Sequence, residues 1–129
     1  MILGFQSAFV AAVANGTKPH TIRRGTRWRV GLPIQFYRNV RQRDMTKIRP
    51  DAVVRVVQVI EVPRPRERYL GPPVQPIVRV DGRELTPLEC QELSRRDGFQ
   101  DVVELVQFLH RMHSLPFVGQ LVGWTDLRY

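Results

Sequence analysis

The sequence predicts an α+β fold: one small domain, residues 1–129, in which strongly curved strands close a barrel-like sheet with about three flanking helices. Three observations carry that expectation. Short valine-rich runs alternate apolar and polar residues, as half-buried strands do. Two helix starts with capping signatures, at Thr86 and Asp101, lie late in the chain. A length of 129 residues suits a single domain with a real core, and no internal repeat divides it.

Ile2 to Phe5 is a short apolar run and the first expected strand. Ser7 is placed to cap a helix whose buried stripe, Phe9, Val10 and Val13, has three- and four-residue spacing. Asn15-Gly16 ends that helix, because a left-handed C-terminal position suits glycine. LPIQFYR (32–38) alternates as a strand, and NVRQRDMTKIRP (39–50) reads as a polar basic loop. VVRVVQVIEV (53–62) is a strand by its valines. Its polar residues Arg55, Gln58 and Glu61 recur every three, which predicts a bulge or a sharp coil.

The stretch 62–76 holds five prolines and three arginines and reads as an exposed loop. IVRVDGREL (77–85) is a hairpin with Asp81-Gly82 at its tip. Thr86-Pro87-Leu88-Glu89 combines a capping box with proline at the first helical position, so a helix runs from there to about Arg96 and stops at Asp97-Gly98. Asp101 opens another, with Val102, Leu105, Val106, Leu109 and Met112 at helical period and His110 and Arg111 facing out. LPFVGQLVGW (115–124) is the closing strand.

The charge is uneven in sign and in place. Twenty Lys+Arg face twelve Asp+Glu, a formal +8 with a pI near 11.0. Residues 18–68 hold fourteen cations and four carboxylates, whereas 69–129 hold six and eight. Eighteen of the twenty cations are arginine, which grips phosphate through two parallel donors and stacks on bases. The segment 18–68 is therefore expected to meet an anionic partner, RNA or a nucleoside before a membrane surface.

Cys90, the one cysteine, excludes an internal disulfide framework and reads as a small packed hydrophobe. No apolar run nears the ~20 residues of a membrane span. The opening MILGFQSAFVAAVANG lacks the basic start of a secretory signal, so a cytoplasmic protein with no membrane partner is expected. A glycine loop for phosphate, a GxSxG elbow and a CxxC pair are all missing from the sequence. His110 and His113, three apart on a helix, have no third ligand nearby, so neither a metal nor a cofactor is expected. The oligomeric state is left open, with a monomer favoured.

Chemistry concentrates in two short stretches. GTKPHTIRRG (16–25) crowds Lys18, His20, Thr21, Arg23 and Arg24 between two glycines. In an extended chain residues 18 and 20 share one side, and 21 and 23 share the other. A lysine amine beside a threonine hydroxyl can take its proton and make it a nucleophile, provided burial or neighbouring cations lower the lysine pKa. The second stretch is Arg95-Arg96-Asp97-Gly98-Phe99. A carboxylate at a helix C-terminus opposes the dipole, which predicts that Lys18 or Arg23 pairs with Asp97. Of the aromatic residues interleaved with arginine, Trp28 and Phe36 suit the core, and Tyr37 and Tyr69 could stack bases.

In order along the chain, GTKPHTIR, the arginine-rich YRNVR, VDGREL, RRDGF and LPFVGQLVGW resemble the ASCH family. The likeness covers nearly all residues and is weakest over 62–76. It implies a PUA-like β-barrel, whose relatives bind RNA, with a cleft lined by the G-x-K-x-x-T-x-R segment. Some small ASCH proteins are amidohydrolases that remove the acetyl group from acetylated cytidine with a lysine, a threonine and a glutamate. Lys18 and Thr21 match the first two, and Asp97, one methylene shorter, falls near the third. Another member is described as a ribonuclease.

The expected function is thus binding of RNA or a modified nucleoside in a basic cleft, through Arg23, Arg24, Arg38, Arg41 and Arg43. Lys18, Thr21 and Asp97 would be the catalytic group of the alternative, an amidohydrolase acting on N-acylated cytidine. A protein-binding module built on the 62–76 loop is a third reading.

Overall fold

The computed structural model describes residues 1–65 and 75–129. Its elements are β1 (Ile2–Phe5), α1 (Ser7–Asn15), β2 (His20–Arg24), β3 (Pro33–Arg38), β4 (Thr46–Val53), β5 (Val56–Val62), β6 (Arg79–Val80), β7 (Arg83–Glu84), α2 (Pro87–Arg96), α3 (Val102–His113) and β8 (Phe117–Gly123). The fold is α+β with three helices, as the sequence predicts. The strands form two sheets, one ordered β1-β3-β4 and one ordered β2-β8-β5-β6-β7. Among the described residues the two sheets do not close into one hydrogen-bonded barrel.

The chain itself joins the sheets between β4 and β5. Val54 exchanges hydrogen bonds with the first sheet's side, accepting from the Gly31 N–H and donating to the Leu32 carbonyl. One residue later the Arg55 N–H donates to Gly123 of the second sheet. A side chain supplies another link. The Gln120 amide accepts from the Trp28 N–H at 2.9 Å and donates to the Trp28 carbonyl at 3.0 Å, as a neighbouring strand would.

β8 is the central strand, antiparallel to both β2 and β5. Its pleat sends alternate residues to two cores. Val122 joins Phe5, Ile34, Phe36, Trp28 and Trp124 between the sheets, where the Phe36 and Trp124 rings meet edge to face at 4.9 Å. Leu121 joins Ile60, Leu93, Leu105 and Leu109 beneath α2 and α3. Trp28 and Phe36 are accordingly core residues, and Cys90 packs beside Leu93 in the helical core.

Several expectations need correction. The basic loop expected over 39–50 is shorter, because Thr46 onward pairs with β3 as β4; the hairpin register Arg38↔Thr46 leaves only 39–45 as the connection. The bulge expected in 53–62 lies elsewhere. β5 pairs with β8 without a register shift, and the irregularities fall between β3 and β4. The every-third pattern misled because Gln58 points inward: residues 54, 56, 58, 60 and 62 are all buried. Its amide is satisfied there, accepting from the Tyr129 N–H at 3.0 Å and donating to the Tyr129 carbonyl at 2.9 Å.

At the first helix, Gln6 occupies the N-cap, and no side chain caps that end. Met112 is half exposed, outside the core stripe of α3. The other signals behave as their chemistry dictates. Thr86 and Glu89 form a complete capping box, and Asp81 and Gly82 both take positive φ at the hairpin tip. Of the Pro-rich 62–76 stretch, residues 66–74, with Tyr69, lie outside the described residues. No helix among the described residues is long and apolar enough to cross a membrane.

Gly119 shows how tightly β2 approaches β8. A Cβ added there would stand 2.5 Å from the Arg23 carbonyl oxygen and 2.7 Å from the Phe117 ring. Backbone cannot retreat as a flexible side chain does. Gly119→Ala is expected to lower the denaturation midpoint by the equivalent of about 1–3 kcal/mol, with an unchanged dependence on denaturant. Chemical unfolding of the purified variant checks it.

Candidate functional site

Two helix ends build the site. α1 terminates at Gly16, in the left-handed region (φ 83), and the Lys18 N–H then donates to the Ala12 carbonyl, pinning the residue against that helix. α2 terminates at Asp97, followed by Gly98 with φ 101. The Gly98 N–H bonds to Arg95 and the Phe99 N–H to Ser94, the paired bonds of a Schellman end. Only glycine fits position 98, since a Cβ would stand 2.7 Å from the Phe9 ring.

The two ends meet through a buried ion pair. Lys18 Nζ lies 2.9 Å from Asp97 Oδ1 and donates to the Asp97 carbonyl at 2.6 Å. One ammonium thus satisfies both the carboxylate and a free carbonyl at the helix end, where the dipole favours a cation. His20, on the same side of the strand as Lys18, brings Nδ1 within 2.9 Å of the same Oδ1. Its Nε2 stands 2.8 Å from the Tyr129 hydroxyl. The pattern fits a hydrogen on Nδ1, with Nε2 accepting from Tyr129; the tautomer is assigned from these partners.

Burial acts on each ionisable group. Taken alone it would raise the Asp97 pKa, but the Lys18 charge and the His20 hydrogen bond outweigh it, and the carboxyl titrates below its ordinary 3.8. Burial lowers Lys18, Asp97 pushes back, and the nearby Arg23 charge adds to the lowering; the net direction is down. Burial also raises the Tyr129 hydroxyl and keeps it a donor.

Lys18 and Asp97 stand in the wall of a cavity of about 200 Å³. Thr21, Arg23 and Arg24 of β2 line it too, and among the described residues no hydrogen bond engages the Thr21 hydroxyl. Aromatic rings line it as well. Phe9, Phe99 and Phe108 form a triangle of rings with centroids 5.2–6.1 Å apart, and Lys18 Nζ lies 5.0 Å from the Phe9 centroid. Arg23 is held by a 2.7 Å bond to the Gly4 carbonyl and lies over the Phe5 ring at 5.2 Å. Its Nε is buried without a partner.

The sequence-predicted residues therefore divide. Lys18, Thr21, Asp97, Arg23 and Arg24 converge on the cavity, and of the two cations offered to Asp97 it is Lys18 that bonds it. Arg38, Arg41 and Arg43 do not line it. Arg38 ends β3 paired with Phe5, a residue of the cavity lining, and Arg41 and Arg43 are exposed on the 39–45 loop that follows. His20 took no role in the sequence reading, although its sharing a side with Lys18 was the available signal. His113 and the phenylalanine triangle line the cavity by tertiary packing alone. His110 faces solvent, and among the described residues no three metal-ligating side chains converge. No family model, curated protein or solved structure matches the chain.

Removing one partner of a buried pair strands the other's charge. Lys18→Met is expected to cost about 3–5 kcal/mol, and Lys18→Met/Asp97→Leu less than the two single changes together. Denaturation of the three variants measures the coupling.

The acid response follows from the Asp97 direction. Its folded pKa lies below the unfolded one, so its contribution is present above pH ~3.8 and is lost as pH falls through the lower folded value. Stability followed from pH 6 to pH 2 should therefore drop more steeply for the native chain than for Asp97→Asn.

Proposed function

We propose that this chain is an ASCH-family protein with a PUA-like barrel, and that its cavity binds an RNA base or a modified nucleoside. The observation that carries the reading is the cavity's mixed chemistry. The phenylalanine rings suit a flat heterocycle, and Lys18, Arg23 and Arg24 supply donors and positive charge beside them. A volume of about 200 Å³ is below the usual range for drug-sized ligands and suits one small group, not a duplex. The order of motifs from GTKPHTIR to LPFVGQLVGW supports the same reading. Arg38 and, on the loop that follows it, Arg41 and Arg43 are available to flanking phosphates.

Single-stranded RNA should bind with affinity that falls steeply between ~50 and ~200 mM salt, because phosphate contacts release counterions. Filter binding or fluorescence anisotropy across that range checks it. A flat response, or no binding at low salt, contradicts the proposal.

A second reading is hydrolysis of N-acylated cytidine. It is favoured by one arrangement: an unengaged Thr21 hydroxyl on the cavity that also holds Lys18 against Asp97. Thr21 Oγ1 would attack the acyl carbonyl while Lys18 in its neutral form takes the hydroxyl proton. The C–N4 bond would then break as Lys18 returns that proton to the departing cytidine amine, and Asp97 would orient the lysine. Water would then release the acid and regenerate the hydroxyl. Incubation with N4-acetylcytidine should yield cytidine and acetate, and Lys18→Met should reduce turnover by ~10²-fold or more. Turnover unchanged in that variant removes Lys18 from the chemistry.

A further inference from the structure

The cavity has more positive charge than its own residues neutralise. Among the described residues Asp97 is its one carboxylate, and Lys18 and His20 already share that group's Oδ1. Arg23 and Arg24 form no salt bridge among the described residues. A half-buried guanidinium whose Nε lacks a partner is costly unless something anionic meets it. Gln6 also lines the cavity, at the uncapped start of α1, whose first turn holds no acidic residue. That helix end adds N–H donors and positive dipole to the arginines.

His113 closes this end. It is the last residue of α3, half-buried in the cavity wall, and neither ring nitrogen is bonded to a described residue. From β2 it is faced by Arg23 and Arg24, and from β8 by the Phe117 ring at 5.2 Å. Across the cavity, Lys18 and Asp97 neutralise each other. On its own helix the neighbouring groups are His110 and Arg111, both exposed.

We infer that Arg23, Arg24 and His113 form a phosphate subsite, so that the ligand of the cavity is a phosphorylated nucleoside and not a bare one. The inference rests on the proposed nucleoside reading and extends it: the ring lies against Phe9, Phe99 and Phe108 while the phosphate lies at the arginine end. Burial and the two arginine charges lower the His113 pKa below its ordinary 6.5 in the free protein. An anion placed among the three reverses that balance, so binding takes up a proton and tightens as pH falls.

Calorimetric titration of the full chain tests this with three probes: cytidine, cytidine 5′-monophosphate, and a cytidine dinucleotide whose single phosphodiester charge does not titrate between pH 5 and 8. At pH 6 the dinucleotide should bind at least about tenfold tighter than cytidine, with a smaller advantage at pH 8. A nucleotide-type site prefers the monophosphate, and an RNA-type site prefers the dinucleotide. Either preference supports the subsite. His113→Gln should abolish the pH dependence, and Arg24→Gln should reduce the phosphate advantage.

Equal binding of cytidine and both phosphorylated probes overturns the subsite and leaves the nucleoside reading standing. If none binds, the nucleoside reading fails, and the His113 ring resonances under added inorganic sulfate decide the subsite alone. A sulfate-induced rise in the His113 titration midpoint, absent in Arg24→Gln, upholds an anion site; an unmoved midpoint overturns it.

Discussion

The ion pair between Lys18 and Asp97 is the constraint around which this molecule is organised. It joins residues 79 positions apart and buries both charges. A pair so deeply buried gains little net stability over apolar residues of the same volume, since desolvation of each ion offsets their attraction. What it fixes is position. Lys18 is tied by its backbone to the end of α1, and Asp97 ends α2, so their contact sets how these two helices meet at the edge of the second sheet. Gly98 allows that approach by turning sharply under the Phe9 ring.

The same contact gives the cavity its electrical character. One carboxylate is held by a lysine and a histidine, and the His20 ring is in turn held by Tyr129. The anionic charge is thereby spent on internal structure, and Arg23 and Arg24 form no salt bridge among the described residues, beside the aromatic lining. That asymmetry is what underlies the proposal of a flat, phosphate-bearing ligand. Two roles also divide along residues 18–24: Lys18 and His20 hold Asp97, while Thr21, Arg23 and Arg24 line the cavity beside them.

Much of this was legible in the sequence where the signals are local. The capping box at Thr86, the Asp81-Gly82 tip and the glycine stops at positions 16 and 98 act through neighbours within a few residues, and each formed as expected. The Asp97 pairing was legible too, because a carboxylate at a helix C-terminus demands a cation and the nearby segment was rich in them. Signals that depend on distant partners were hidden. Gln58 looked like an outward strand residue because its amide is satisfied by distant partners, Asp81 and Tyr129, the latter 71 positions away. β4 was masked by its own polarity, as it carries Lys47, Arg49 and Asp51 while β3 supplies the pairing. His113 joins the cavity only through the tertiary packing of α3.

The central claim is best tested by following the Asp97 carboxyl directly, through its carbon resonance across a pH titration of the native chain and of Lys18→Met. The account predicts a midpoint below the ordinary 3.8 in the native chain and a rise once the lysine is gone, when burial acts with less opposition. A native midpoint at or above 3.8, unmoved by the loss of Lys18, would contradict it.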